Sequence, residues 1–325
     1  MVFPQSRPRR LRATAAVRSL VSETTLRSSD LIAPLFVAEG IDQPREIPSL
    51  PGVFQHTVSS LLHETQKLLE VGVRAVMLFG VPLTKDQTGS GAWAPDGLVQ
   101  QSLSALRQEF GDELVLMSDL CLDEYTDHGH CGVVRDDGSV DNDATLRLYA
   151  RTALAQARAG ATMVAPSGMM DGQVGAIREA LDAEGLSEVG IVAYSVKYAS
   201  ALYGPFRDAV NVAIADGGDR RSYQQDFHNI HDARREVLLD IDEGADMVMV
   251  KPAVTYLDVI AKVREFVDVP VLAYHVSGEY AMIQAAARQG WIDGQAVALE
   301  QLVAVRRAGA TAVLTYFAGE LAPLL

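Results

Sequence analysis

Apolar and polar positions along this chain follow two different periods. Short runs rich in Val, Ile, Leu and Ala are separated by longer stretches in which apolar residues return every three or four positions, the spacing of one buried helix face. The short runs predict eight strands: Leu31 to Val37, Val73 to Phe79, Glu113 to Ser118, Ala161 to Ala165, Val189 to Val196, Ala245 to Val250, Val269 to Tyr274 and Ala312 to Tyr316. The longer stretches predict helices over His56 to Leu69, Gly97 to Phe110, Asp143 to Arg158, Gly172 to Glu184, Ile230 to Glu243, Tyr256 to Phe266, Glu279 to Gln289 and Leu299 to Arg307. Several end in a glycine just before the next strand, as at Gly72, Gly160 and Gly309, where a left-handed residue stops a helix at little steric cost. Apolar strands joined by helices belong in a parallel sheet covered on both faces, and eight such units predict an α/β fold of the (β/α)8 TIM barrel type. A doubly wound open sheet is the alternative architecture. No Ser/Gly-rich linker interrupts the alternation, so residues 31–325 read as one barrel domain. Residues 1–30 read either as an extended N-terminal arm making oligomer contacts or as a frayed terminus.

Composition narrows the function classes. With 325 residues, 48% of them hydrophobic, the chain can bury a large core. A net charge of -14 works against binding nucleic acid or an acidic membrane surface, and an acidic substrate would need a local basic pocket. The N-terminal stretch carries Arg7, Arg9, Arg10, Arg12 and Arg18 but no apolar run follows it, and no later run approaches membrane-spanning length. The only cysteines, Cys121 and Cys131, make no disulfide framework, which suits a reducing, cytoplasmic compartment.

In a barrel, polar residues at the C-terminal ends of strands face the active-site mouth. Those ends offer Asp119, Ser167, Lys197, Lys251, His275, Ser277 and Tyr316. The chain has five lysines, and two of them, Lys197 and Lys251, terminate consecutive apolar runs. Burial and a neighbouring cation both favour the neutral amine, the form that attacks a carbonyl, whereas an arginine never deprotonates usefully. After the fifth strand a long loop carries Arg207, Arg220 and Gln224, a composition suited to gripping carboxylates. The third signal is the loop from Asp119 to Gly132, where Cys121, Asp123, His128, His130 and Cys131 offer the S, N and O ligands that zinc takes. Free thiols are the alternative reading of this loop.

The residues as a set resemble the porphobilinogen synthase (5-aminolevulinate dehydratase) family. The resemblance runs through Arg7 to Arg12, Asp30 to Val37, Asp119 to Gly132, Ala165 to Gly172, Tyr203 to Asp208, Gly244 to Pro252 and Tyr274 to Gly278. It implies a barrel with an N-terminal arm that assembles into homo-oligomers, typically octamers, and the condensation of two 5-aminolevulinate molecules to porphobilinogen with loss of two waters. It implies Schiff bases on Lys251, for the substrate that becomes the propionate side, and on Lys197 for the other. By the same resemblance Ser277 and Tyr316 bind the first carboxylate, Arg207, Arg220 and Gln224 bind the second, Asp119 is a catalytic carboxylate of the active site and Glu236 belongs to an allosteric magnesium site, while Ser167, at its strand end, is a candidate for substrate binding. Zinc would lie at Cys121, Asp123 and Cys131.

The chain also departs from the family pattern. Zinc-type members carry three cysteines in the metal loop and aspartate-rich members none, whereas this loop mixes Cys121, Asp123 and Cys131. Gly168 and Gln173 stand where the family usually has an aspartate and an arginine, and Asn211 to Gly217 differs from the usual lid. An aldolase-like lyase acting on another keto acid, and a catalytically silent paralogue, are the competing functions.

Overall fold

A computed structural model describes residues 2–214 and 218–325. Eight parallel strands form the barrel: β1 (Leu31–Ala38), β2 (Ala75–Val81), β3 (Val115–Leu120), β4 (Met163–Pro166), β5 (Gly190–Lys197), β6 (Met247–Lys251), β7 (Val271–His275) and β8 (Ala312–Thr315). Each pairs with the next, and β8 returns to β1 through Leu31 opposite Val313 and Ile32 opposite Leu314. That closure excludes the open sheet. The covering helices are α1 (Val58–Glu70), α2 (Leu98–Phe110), α3 (Asn142–Arg158), α4 (Gln173–Ala183), α5 (His231–Asp242), α6 (Leu257–Arg264), α7 (Ser277–Arg288) and α8 (Gly294–Arg307), the last two both lying between β7 and β8.

The apolar runs at Val73, Ala161 and Ala245 begin earlier than the strands they feed. The amides of these residues bond back to Leu68, Gln156 and Asp240, each five residues upstream at the end of the preceding helix. Gly72, Gly160 and Gly244 hold positive φ of 86°, 107° and 108° just before them. The apolar residue after each glycine thus seals a helix end before the chain pairs as a strand.

Residues 2–23 lie on the outside of the barrel and are almost wholly exposed, with only a 3-10 turn (Pro8–Arg12) and a short helix (Ala15–Leu20) as regular structure. Val2, Phe3, Leu11 and Leu20 present apolar side chains to solvent there. The packed barrel begins slightly before residue 31. Leu26 is buried, and the carboxylate of Asp30 pairs with Arg27 and Arg306.

Candidate active site

The two lysines end adjacent strands in register. Lys197 closes β5 and Lys251 closes β6, and the pairing sets Lys251 directly opposite Lys197. Both are buried, at 4% and 5% exposure. The Lys251 amine sits among aromatic faces, 4.6 Å from the ring centroid of Tyr274, 4.9 Å from Tyr203, 5.2 Å from Phe206 and 5.3 Å from Tyr194. Burial among these rings, and then the Lys197 charge, bring it down to about 7. Burial also opposes the Lys197 ammonium, but the hydrogen-bonded Cys131–Cys121 pair and then Asp123 outweigh it and leave the amine raised. Its Nζ donates to the carbonyl of Ser167. One amine is therefore set up to be neutral and nucleophilic, and its neighbour to carry charge.

These amines open into a cavity of about 250 Å³. Asp119, Asp123, Ser167, Lys197, Arg207, Arg220, Gln224 and Lys251, all expected from the sequence, line it together. Asp119 accepts from the Ser167 hydroxyl at 3.2 Å, and burial lifts its carboxyl to about 6 against the pull of Lys197. A carboxyl near neutrality beside two amines can both give and take a proton. Arg207 lies on a short helix (Gly204–Ala209) anchored by Gln55 donating to the Ala209 carbonyl at 2.7 Å, and it makes no ion pair among the described residues. Gln224 Nε2 and Arg220 Nε are buried donors without partners among the described residues. Together these groups set cationic and N–H donors into the cavity beside Asp119, Asp123 and Glu124.

The other candidate residues are placed as follows. The Arg220 guanidinium is largely buried, pairs with Asp123 at 2.8 Å and donates to the Gly129 carbonyl at 2.7 Å. Ser277 and Tyr316 stand outside the cavity wall. The Ser277 hydroxyl donates to the Leu202 carbonyl and accepts from the Phe206 amide, while Tyr316 pairs its hydroxyl with Tyr274 at 3.0 Å, one ring behind Lys251. Tyr316 faces a neighbouring cavity of about 460 Å³ instead. His275 faces away, bonded to Gln301 and Thr315, and burial lowers it to about 4, so it stays neutral and structural. The lid stretch from Asn211 to Gly217 lies partly outside the described residues.

Cys121, Asp123 and Cys131 form the one group of metal-ligand side chains that converges among the described residues, with ligand atoms within 4.8 Å of one another and all three buried. Two sulfurs and one carboxylate oxygen fit zinc. The hydrogen bond from the Cys121 thiol brings the Cys131 thiol down to about 7, whereas burial pushes Cys121 up. The histidines of the loop do not join them: His130 bonds the Tyr223 hydroxyl and His128 bonds the Gln87 carbonyl. Glu236 lies on α5, away from the cavity, where burial and the charges of Asp232 and Asp171 lift it to about 7. No third ligand converges on it among the described residues.

The structure also explains Gly168. A Cβ there would fall 1.6 Å from the Tyr149 hydroxyl, which donates to the Cys131 carbonyl at 2.8 Å and lies 3.7 Å from the Cys121 sulfur. The volume of a side chain at 168 is filled from α3. Gln173 is buried and turns inward, accepting from the Met170 amide at 3.2 Å, so it holds the β4 loop and does not reach the cavity. The aromatic wall of Tyr194, Tyr203, Phe206 and Tyr274, and the buried Glu124 beside Asp123, were not singled out from the sequence. Tyr203 and Phe206 flank Arg207 in the loop already identified, so their proximity was the available signal.

A closed eight-stranded parallel barrel with two amines and an acid at its strand ends, and guanidinium and amide donors in the loop after β5, defines a (β/α)8 barrel enzyme. The family model described as delta-aminolevulinic acid dehydratase matches residues 5–324. A Streptomyces coelicolor delta-aminolevulinic acid dehydratase is 55% identical over 99% of this chain and 98% of its own length, and a Mycobacterium tuberculosis one is 55% identical over 97% and 96%. The crystal structure of the Toxoplasma gondii enzyme in complex with the reaction product porphobilinogen superposes with a TM-score of 0.97 at 46% identity, covering 100% of this chain and 93% of that one. The chain belongs to the delta-aminolevulinic acid dehydratase family.

Proposed function

We propose that the barrel condenses two 5-aminolevulinate molecules to porphobilinogen with loss of two waters, in tetrapyrrole (heme) biosynthesis, holding one substrate as an imine on Lys251 and the other on Lys197. The observation that carries this reading is the side-by-side register of two buried lysines whose environments push their amines in opposite directions. The neutral Lys251 amine attacks one ketone, expelling water as the imine forms. Ser277 and Tyr316, next to the aromatic wall, take that substrate's carboxylate, and Arg207, Arg220 and Gln224 take the second. Asp119 accepts and returns protons as one C–C and one C–N bond form, and both lysines are released free.

Cys121, Asp123 and Cys131 are the residues that would hold zinc. A zinc ion held there would supply Lewis acidity beside the second substrate and offset negative charge on its sulfur ligands. Glu236 is assigned to a magnesium outside the active site, where a cation would relieve its crowding by Asp232 and Asp171. The exposed apolar side chains of the arm support a homo-oligomer, for which the octamer is the expected form. No helix among the described residues is long and apolar enough to cross a membrane, and the paired free thiols suit the cytoplasm.

Incubating the purified chain with 5-aminolevulinate and borohydride tests the reaction. Porphobilinogen should form and Lys251 should carry the reduced adduct. Labelling should rise with pH through about 7, because only the neutral amine attacks and roughly a tenth of it is neutral one unit below that point. No porphobilinogen together with no label on either lysine would reject the reading. Prolonged chelation is expected to lower activity, with zinc or magnesium restoring it; full activity in a protein shown to be metal-free would reject the metal assignment.

A further inference from the structure

One buried carboxylate ties together the two strand ends that carry Lys251 and Ser277. Glu279 lies in the first turn of α7 and is 2% exposed. Its Oε2 accepts from the amide of Val276, just before Ser277, at 2.7 Å, and from the amide of Ala253 at 3.4 Å. Its Oε1 accepts from the amide of Val254. Ala253 and Val254 follow Lys251 and Pro252 directly, so the carboxylate reaches from the end of β7 to the loop leaving β6. No lysine or arginine pairs with it among the described residues.

A helix cap would need only the bond to Val276, and a glutamine at this position would serve as well. Burying a carboxylate without a cation is costly, and here backbone N–H groups from two strand ends offset that cost. Tyr203 holds the carbonyl of Lys251 from the other side with its hydroxyl at 3.2 Å, and the Tyr198 amide holds the same carbonyl at 3.0 Å. The Lys251 backbone is therefore restrained by Tyr198 and Tyr203 at its own carbonyl and by Glu279 just beyond it. Ser277 is fixed to the same frame, and Gly278 lets it approach: a Cβ at 278 would fall 2.5 Å from the Leu202 carbonyl oxygen.

We propose that Glu279 is a positioning residue that sets the span between the Lys251 amine and the Ser277 carboxylate subsite, and thereby selects acids with two methylenes between ketone and carboxylate. The proposal rests on the imine at Lys251 and the carboxylate at Ser277 and Tyr316 assigned above. A fixed span rewards only the keto acid whose two ends fit it at once, since the orientation entropy is met by the protein beforehand. In Glu279→Gln one oxygen becomes an NH2 group facing an N–H donor. The amides of Val254 or Ala253 then lose their acceptor, and the loop carrying Lys251 is freed to drift from Ser277.

Borohydride trapping on the full chain at about pH 8.5 tests this. Burial lifts Glu279 to about 7 against the amide bonds of Val276, Val254 and Ala253, so at that pH it is ionised while the Lys251 amine is neutral. The probes are 4-oxopentanoate, its homologue 5-oxohexanoate and the neutral ketone 2-pentanone. In the unaltered enzyme 4-oxopentanoate should label Lys251 about tenfold faster than either of the others. Glu279→Gln should reduce that preference to about twofold while 2-pentanone labelling changes little, a pattern that general loss of stability does not produce. Unchanged preference in folded Glu279→Gln overturns the proposal, as does equal labelling by all three ketones in the unaltered enzyme. Should Glu279→Gln fail to fold, Glu279→Asp decides: it keeps the charge but shortens the reach, so full preference there overturns the proposal and a reduced one supports it. Absence of any label on Lys251 in the unaltered enzyme is a different failure, because it removes the imine reading and the span with it.

Discussion

Replacing Lys251 by methionine is expected to lower porphobilinogen formation by about 10⁴-fold or more and to abolish the borohydride adduct at that strand end. Methionine matches the length and apolar stem of lysine, and the site is a dry aromatic box of Tyr194, Tyr203, Phe206 and Tyr274. The fold should therefore survive, with an unchanged melting temperature. What is lost is the nucleophile for the first substrate, and Lys197 cannot replace it because it ends the neighbouring strand, outside the aromatic box, where it holds the other substrate. A variant that retained a tenth of the activity would mean that the imine on Lys251 is dispensable. Lys251→Arg should be as inactive as the methionine variant, since a guanidinium cannot supply a neutral amine.

Asp119→Asn should cost about 10² to 10⁴-fold in turnover, the usual range for a positioned proton donor and acceptor. The amide keeps the shape and can still accept from Ser167, but it can no longer carry or release a proton. A second readout moves the other way. The Asp119 charge favours the Lys251 ammonium, so its removal makes that amine easier to deprotonate and shifts the rise in borohydride labelling to below about 7. Lower turnover with labelling that saturates at lower pH is the expected signature. Unaltered turnover, or labelling moved to higher pH, would remove Asp119 from proton transfer.

Much of this was legible along the chain. The strand ends of the barrel follow from local chemistry: an apolar run followed by Lys251 and Pro252 stops where a proline cannot continue the ladder. The rarity of lysine makes Lys197 and Lys251 conspicuous in the sequence alone. Boundaries were less legible, because Val73, Ala161 and Ala245 are apolar for the sake of the helix they seal, and hydrophobicity does not say which neighbour a residue covers. Residues such as Ser277, Tyr316 and His275 were visible as polar groups after a strand. Which way each pointed depended on packing against β5, β7 and α8.

By itself the sequence determined the barrel, the pair of lysines and the thiol-bearing loop, because periodicity, glycine stops and rare residue types act within a few positions of one another. Only the tertiary structure decided how the charges are shared. Asp123 and Arg220 are almost a hundred residues apart, yet they meet as a buried pair beside Cys121 and Cys131. Tyr149 fills the place of a side chain at 168, and Glu279 joins the loop after β6 to the start of α7. Burial, desolvation and opposing charge depend on what surrounds a group in space, and barrel closure brings those neighbours together from distant segments of the chain. That is why two lysines alike in sequence acquire opposite protonation tendencies once the barrel closes.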